Sequence, residues 1–264
     1  MSGSADRAHG VLLTVAYDGG PFAGFARQPT ARTVAGELDG AVRAVDARAS
    51  LVRGTSRTDA GVHAVDQRVA FDATRELASR NWVLALNAHL PTEIAVTRAA
   101  LVEPGFEPRH RASHKLYRYV LFESAVRDPF LEGRAWRIAE TLDHGRMLEA
   151  AAPLVGEHDF GAFRAASDER RDTVRKLFRI EVRVARNDPR IVEVLVEGTG
   201  FLHRMVRIIV GSLVDVGRGK LAPLVLESAL VNRDRTTLGI TAPPDGLFLE
   251  KVVLDDDGRD AWPR

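Results

Sequence analysis

The strongest constraint on the fold is the order in which two hydrophobic periods alternate along the chain. Val11 to Tyr17 repeats every two residues, so Val11, Leu13, Val15 and Tyr17 share one side of a strand that Asp18, Gly19, Gly20 and Pro21 end. Beyond Thr33, a candidate N-cap, Leu38, Ala41, Val42 and Val45 form a helical stripe. A short strand near Ser50 to Arg53 and another over Gln67 to Asp72 follow. Arg80 to His89 reads as a helix through Trp82, Leu86 and Leu90, stopped by Pro91, and Ile94 to Val102 is again a strand. The order β-α-β-β-α-β is that of the split βαβ, or ferredoxin-like, arrangement.

The second half repeats the order without repeating the sequence. Leu116 to Glu123 alternates as a strand, Leu142 to Pro153 is helical, and Val174 to Ala185 with Ile191 to Glu197 predicts a hairpin around Asn187, Asp188 and Pro189. Phe201 to Val216 carries Leu202, Met205, Val206, Ile209, Val210 and Leu213 at spacings of three and four, the pattern of an amphipathic helix. A helix near Leu224 to Leu230 precedes a last strand, Leu247 to Leu254. The expected fold class is therefore α+β: two ferredoxin-like (RRM-like) domains, 1–110 and 111–264, with antiparallel sheets side by side and a catalytic cleft between them.

Within this frame one loop stands out, Thr55 to Ala64, T-S-R-T-D-A-G-V-H-A. Asp59 sits two residues after Arg57 and two before Gly61, in a run too broken for regular structure. Its ordinary reading is a surface turn, with the aspartate bonding its own backbone and Gly61 supplying a positive φ. Its chemical reading is a carboxylate kept charged by a neighbouring cation.

Composition narrows the chemistry. The 264 residues contain no cysteine, which excludes disulfides, thiolate metal sites and a cysteine nucleophile. His110 and His114 are four apart but lack the glutamate of a zinc-type H-E-x-x-H, so no metal site is expected. Met1 to Gly10 has no apolar leader, no apolar run approaches a bilayer span, and a cytoplasmic protein is expected. Net charge is only +1, yet four lysines among 37 basic residues leave 33 arginines. A GC-rich genome accounts for such an excess, and so does a need for guanidinium forks that grip phosphates and stack on bases.

Three basic clusters lie outside the loop. Arg109, His110, Arg111, His114, Lys115 and Arg118 surround Tyr117 and Tyr119, mixing cations with aromatics as nucleic-acid sites do. Arg164, Arg170, Arg171, Arg175 and Lys176 follow D-F-G-A-F-R. His203, Arg204 and Arg207 open the amphipathic helix, where the macrodipole disfavours cations by about 0.3–1 kcal/mol each, so something anionic should offset them. Of Tyr117 and Tyr119, on one strand face, at least one is expected in the core; a free tyrosine in this cationic neighbourhood would instead stack on a base. Gly198 and Gly200 match no complete dinucleotide or P-loop fingerprint, so nicotinamide and ATP chemistry are not expected.

These residues together resemble the tRNA pseudouridine synthase A family, and the resemblance spans nearly the whole chain. R-T-D-A-G-V-H-A, from Arg57, is similar to its active-site signature. Tyr17, Asp18, Gly19, Gly24, Arg27 and Gln28 match its opening Y-D-G…G…R-Q; Asn87, Leu90 and Pro91 match N-x-x-L-P. Phe106 and Arg109, then Tyr117, Arg118 and Tyr119, match F-x-x-R…Y-R-Y; Phe160 and Phe163 match D-F-x-x-F; Phe201 to Gly211 matches F-x-x-x-M-V-R-x-x-x-G. Phe25 stands where the family has Trp, Ser56 where it has Gly, and Lys115 and Leu116 where it has two arginines.

The resemblance implies conversion of uridine to pseudouridine on the 3′ side of the tRNA anticodon stem-loop, without a cofactor, by a homodimer that grips one tRNA. It implies that Asp59 is the catalytic carboxylate, that Arg207 pairs with it, that Tyr117 stacks on the target base and that Arg57 helps displace the nucleotide. Arg109, His110, Phe106 and Leu249 are implied as further substrate contacts. An ionised aspartate can act on C1′ as a glycosidase carboxylate does, assist removal of the C2′ proton, or attack C6. Two other classes compete. A non-catalytic RNA-binding module shares the element order, but neither half carries the aromatic RNP strands. A metal-assisted hydrolase would want clustered carboxylates, and the nearest acidic neighbour of Asp59 is Asp66.

Overall fold

The computed structural model describes residues 8–263; residues 1–7, on which most of the N-terminal expectation falls, and residue 264 lie outside the described residues. The chain is mixed α+β. It divides into two compact units, residues 1–113 with 249–264, and residues 114–248.

In the first unit the elements are β1 (His9–Tyr17), α1 (Val34–Val45), β2 (Arg53–Gly54), β3 (His63–Ala73), α2 (Ser79–Asn87) and β4 (Ile94–Val102). β1 pairs antiparallel with both β3 and β4, and β2 pairs with β3. Thr33 caps α1 as expected, its hydroxyl accepting the Gly36 N–H, and Val34, Leu38, Ala41, Val42 and Val45 are buried. Trp82 of α2 is fully buried edge-on against Phe71 of β3, with ring centroids 5.2 Å apart.

The second unit runs from β5 (Ala112–Glu123), whose first two residues lie in the first, through β6 (Trp136–Ile138), α3 (His144–Ala151), β7 (Gly156–Asp159), β8 (Val174–Val184), β9 (Ile191–Gly198), α4 (Met205–Gly217) and α5 (Val225–Asn232) to the start of β10 (Leu247–Leu254). Strand order is β5-β9-β8-β7, with β6 parallel to β5. From Leu249 the chain is again in the first unit, where β10 lies beyond β3 and β11 (Arg259–Trp262) pairs with β4.

Several boundaries differ from expectation for identifiable reasons. β2, β6, β7 and β11 are two to four residues long, too short to display a period. β3 begins at His63 because Ala64 pairs with Tyr17, and β5 begins at Ala112, taking in polar residues such as Lys115, which pairs with Gly198. His114 is thus on a strand, not at helical spacing from His110, and its Nε2 lies 3.3 Å from Glu197. The helix expected from Phe201 begins at Met205, whose N–H reaches only to the Leu202 carbonyl, after Arg204 has turned left-handed at φ 62°. Instead of one apolar stripe, α4 buries every residue except Arg207.

Candidate active site

The loop between β2 and β3 is held from beneath. Thr58 is buried and its Oγ1 lies 2.7 Å from the Tyr17 hydroxyl, while Arg57 before it is exposed and Asp59 after it is half-buried. Burial raises the Tyr17 pKa well above its ordinary value, keeping the phenol neutral. Gln67, fully buried on β3, clamps the loop entry: its Oε1 accepts the Ser56 N–H at 3.2 Å and its Nε2 donates to the Ser56 carbonyl at 2.7 Å. The exit is a turn closed by the Val62 N–H on the Asp59 carbonyl at 3.1 Å, with Gly61 at φ 80°, a conformation costly for any residue with a Cβ.

The opening motif has its physical account here. A Cβ at Gly19 would overlap the Val62 carbonyl, and the Gly19 N–H donates to His63 Nδ1 at 3.0 Å. Gly24, at φ 97°, would place a Cβ 2.8 Å from the Thr58 carbonyl, which instead accepts the Phe25 N–H at 3.1 Å. Arg27 is structural: it pairs with Asp39 of α1 and donates to the Val52 carbonyl. Asn87 likewise uses its side-chain amide to pair both ways with the Val96 backbone, at 2.8 and 2.9 Å.

Arg109 and His110 are exposed on the turn after β4. Phe106 is fully buried among Leu12 and Ala70, and Leu249 is fully buried as well. Arg53 of β2 ties the Phe106 segment to β3, donating to the Phe106 carbonyl at 3.2 Å and pairing with Asp72 at 2.9 Å.

In the second unit Tyr117 of β5 is mostly buried and meets Phe201 edge-on at 5.0 Å. Tyr119 is core as well and more deeply buried, its hydroxyl donating to the Pro243 carbonyl at 2.8 Å. Phe160 and Phe163 of the D-F-x-x-F segment are also core, edge-on at 5.6 Å. The turn before α4 is pinned by Asp168, which accepts a fork from Arg170 and the His203 N–H at 2.8 Å. The Arg170 guanidinium holds the Asp168 carboxyl well below the usual carboxylate range. Arg207, in the first turn of α4, donates from Nε to the Ala242 carbonyl at 2.8 Å.

Gln67, Asp168 and Ala242 escaped the sequence reading. The first two are single polar residues in otherwise ordinary surroundings, and the third acts through its backbone, which leaves no mark in a sequence. Among the described residues no group of three or more His, Asp or Glu could hold a metal ion, and no helix is long and apolar enough to cross a membrane.

Comparison with known proteins gives this arrangement a context. A model of the family described as tRNA pseudouridine synthase matches residues 150–255. The tRNA pseudouridine synthase A of Geobacter sulfurreducens is 40% identical over 242 residues, covering 92% of this chain and 98% of that one. Those of Herminiimonas arsenicoxydans, at 39% over 96% of this chain and 93% of that one, and Shouchella clausii, at 41% over 90% of each, are similarly related. On this likeness across nearly its whole length, the chain belongs to the tRNA pseudouridine synthase A family.

Proposed function

We propose that this protein isomerises uridine to pseudouridine in the anticodon stem-loop of tRNA, with Asp59 as the reacting carboxylate. The observation that carries the proposal is the state of the Asp59 loop. Buried bonds from Gln67 to the Ser56 backbone and from Tyr17 to the Thr58 hydroxyl hold it on the inner side, leaving Arg57 exposed and Asp59 half-buried. A carboxylate carried on a fixed loop suits a reaction whose barrier falls through positioning and charge. The N1–C1′ bond breaks, the uracil turns, C5 joins C1′, and the C5 proton leaves; no electrons are exchanged and no cofactor is called for. Asp59 acts as a base for the C2′ proton, as a nucleophile at C1′ or by attack on C6; a primary isotope effect from deuterium at C2′ marks the first case.

In this reading the two units, residues 1–113 with 249–264 and residues 114–248, are ferredoxin-like halves with sheets side by side and a cleft between them. The strand orders support it: β4-β1-β3 with β2 beyond β3, and β5-β9-β8, follow the split βαβ pattern. Across the cleft Arg207 pairs with Asp59 and Tyr117 stacks on the target base, while Arg57 wedges the nucleotide from its stack. Arg109 and His110 contact the RNA, and Phe106 and Leu249 support that surface from inside. The protein works in the cytoplasm as a homodimer gripping one tRNA.

The test is Asp59→Ala with a tRNA transcript tritiated at C5 of uridine. The variant is expected to bind tRNA as the wild type does and to release no tritium. Turnover by the variant overturns the assignment of Asp59. A wild-type protein that binds tRNA and releases nothing overturns the enzymatic reading in favour of a binding module.

A further inference from the structure

Arg207 is held by more than its own helix. Its Nε donates to the Ala242 carbonyl at 2.8 Å, and the Ala242 N–H returns a bond to the Arg207 carbonyl at 3.0 Å, so residue 242 grips the arginine at both its backbone and its side chain. The chain reaches Ala242 by running close along α4. One helical turn after Arg207, a Cβ at Gly211 would overlap the Ile240 carbonyl oxygen and come within 3.1 Å of the Ala242 nitrogen. Just before, the Gly239 N–H donates to Ser212 Oγ at 3.1 Å, and Ser212 is itself anchored on the Ile208 carbonyl at 2.9 Å. Just after, the Pro243 carbonyl accepts the hydroxyl of fully buried Tyr119 at 2.8 Å.

We propose that the segment Gly239–Pro243, seated on Gly211 and latched by Tyr119, sets the direction in which the Arg207 guanidinium points, making Gly211 and Tyr119 positioning residues for the isomerisation. An arginine on a helix has several flexible torsions, and a bond at Nε fixes the plane of the guanidinium at its root while the terminal nitrogens point onward. Lysine has no equivalent of Nε and cannot be steered this way. Glycine at 211 is then required for close approach of another backbone rather than for any turn, since it sits inside a regular helix where glycine otherwise costs about 1 kcal/mol relative to alanine. The tyrosine at 119 is required for its hydroxyl, because its ring alone would fill the core equally well as phenylalanine.

The consequence for catalysis rests on the proposed role of Arg207 at Asp59; the tether itself does not. Two variants test it, Gly211→Ala and Tyr119→Phe, each read in two ways. The first reading is the hydrogen exchange of the Arg207 Nε–H by 15N NMR, the signal being identified by its loss in Arg207→Lys. It is expected to exchange slowly in the wild type and faster in both variants. The second is single-turnover pseudouridine formation at saturating tRNA, expected to fall on the order of 10–100-fold, as a misplacement of about 1 Å at a reacting group does. The tRNA Kd is expected to stay within about twofold, because the lost interaction is one made in the transition state. In the Arg207→Lys background neither substitution should slow the reaction further.

Unchanged Nε–H exchange in Tyr119→Phe overturns the tether. Losses that multiply fully onto Arg207→Lys overturn the positioning role and leave only a stability effect. If Gly211→Ala does not fold, Tyr119→Phe decides alone, since it removes a single oxygen atom. If the wild type makes no pseudouridine, the functional reading has failed, and the exchange measurement still decides whether Gly211 and Tyr119 aim Arg207.

Discussion

Replacing Gln67 with leucine removes the clamp at the entrance of the Asp59 loop, together with a longer bond from Gln67 Nε2 to the Tyr17 hydroxyl at 3.5 Å. The two side chains have nearly the same volume, so no sizeable cavity forms around a residue that is fully buried. What remains is the N–H and the C=O of Ser56, which Gln67 satisfies at 3.2 and 2.7 Å, and Ser56 itself is only 7% exposed. A buried backbone group stripped of its partner costs about 1–3 kcal/mol, so the two together cost about 2–6 kcal/mol. That is a large part of a domain stability of about 5–15 kcal/mol, and the variant stays folded without denaturant where the wild-type stability exceeds the loss. Urea unfolding followed by fluorescence, with Trp82 reporting on the first unit, should show a lower midpoint at unchanged slope. Single-turnover pseudouridine formation should fall by about tenfold or more, since the backbone between Ser56 and Asp59 relaxes, while tRNA affinity stays near the wild type. A stability loss below about 1 kcal/mol together with wild-type turnover would show that water satisfies Ser56 and that Gln67 does not shape the loop.

Gly24→Ala carries both a φ of 97° and a Cβ 2.8 Å from the Thr58 carbonyl, so it should destabilise by more than the roughly 1 kcal/mol of a simple glycine replacement and lower the thermal midpoint accordingly. For Asp168 the effect depends on pH. Its carboxyl is depressed in the folded state by Arg170, so its contribution is fully present above the unfolded value of about 4 and is lost as pH falls through the lower folded value. Asp168→Asn should therefore lower the unfolding midpoint near neutrality and flatten its decline in acid; an acid limb as steep as that of the wild type would refute this.

The sequence by itself determined the elements that a period can reveal and the chemistry that a residue type can perform. β1, α1, α2 and β4 were legible because their apolar residues recur often enough to establish a spacing, and Thr33 because a cap is a local event. Asp59, Arg207 and Tyr117 stand out in the sequence because the resemblance to a family marks them, and their roles are the ones proposed above. The same resemblance could not say why the other shared residues are there. Tyr17 and Gly24 brace the Asp59 loop, Arg27 and Asn87 fasten a helix to its neighbours, and Phe160 and Phe163 fill the core.

Only the tertiary structure decided these roles, because each depends on an approach between segments far apart in the chain. Gln67 is an ordinary strand residue until Ser56 is brought against it, eleven residues away. Gly211 is a weak helix residue until the Ile240 carbonyl comes to rest where its side chain would be. Periodicity records which face of an element is buried, and it is silent about what buries that face. The start of α4 shows the limit: the apolar spacing extends back to Phe201, but backbone bonds before Met205 close a turn instead, and the helix begins two residues before the arginine it presents.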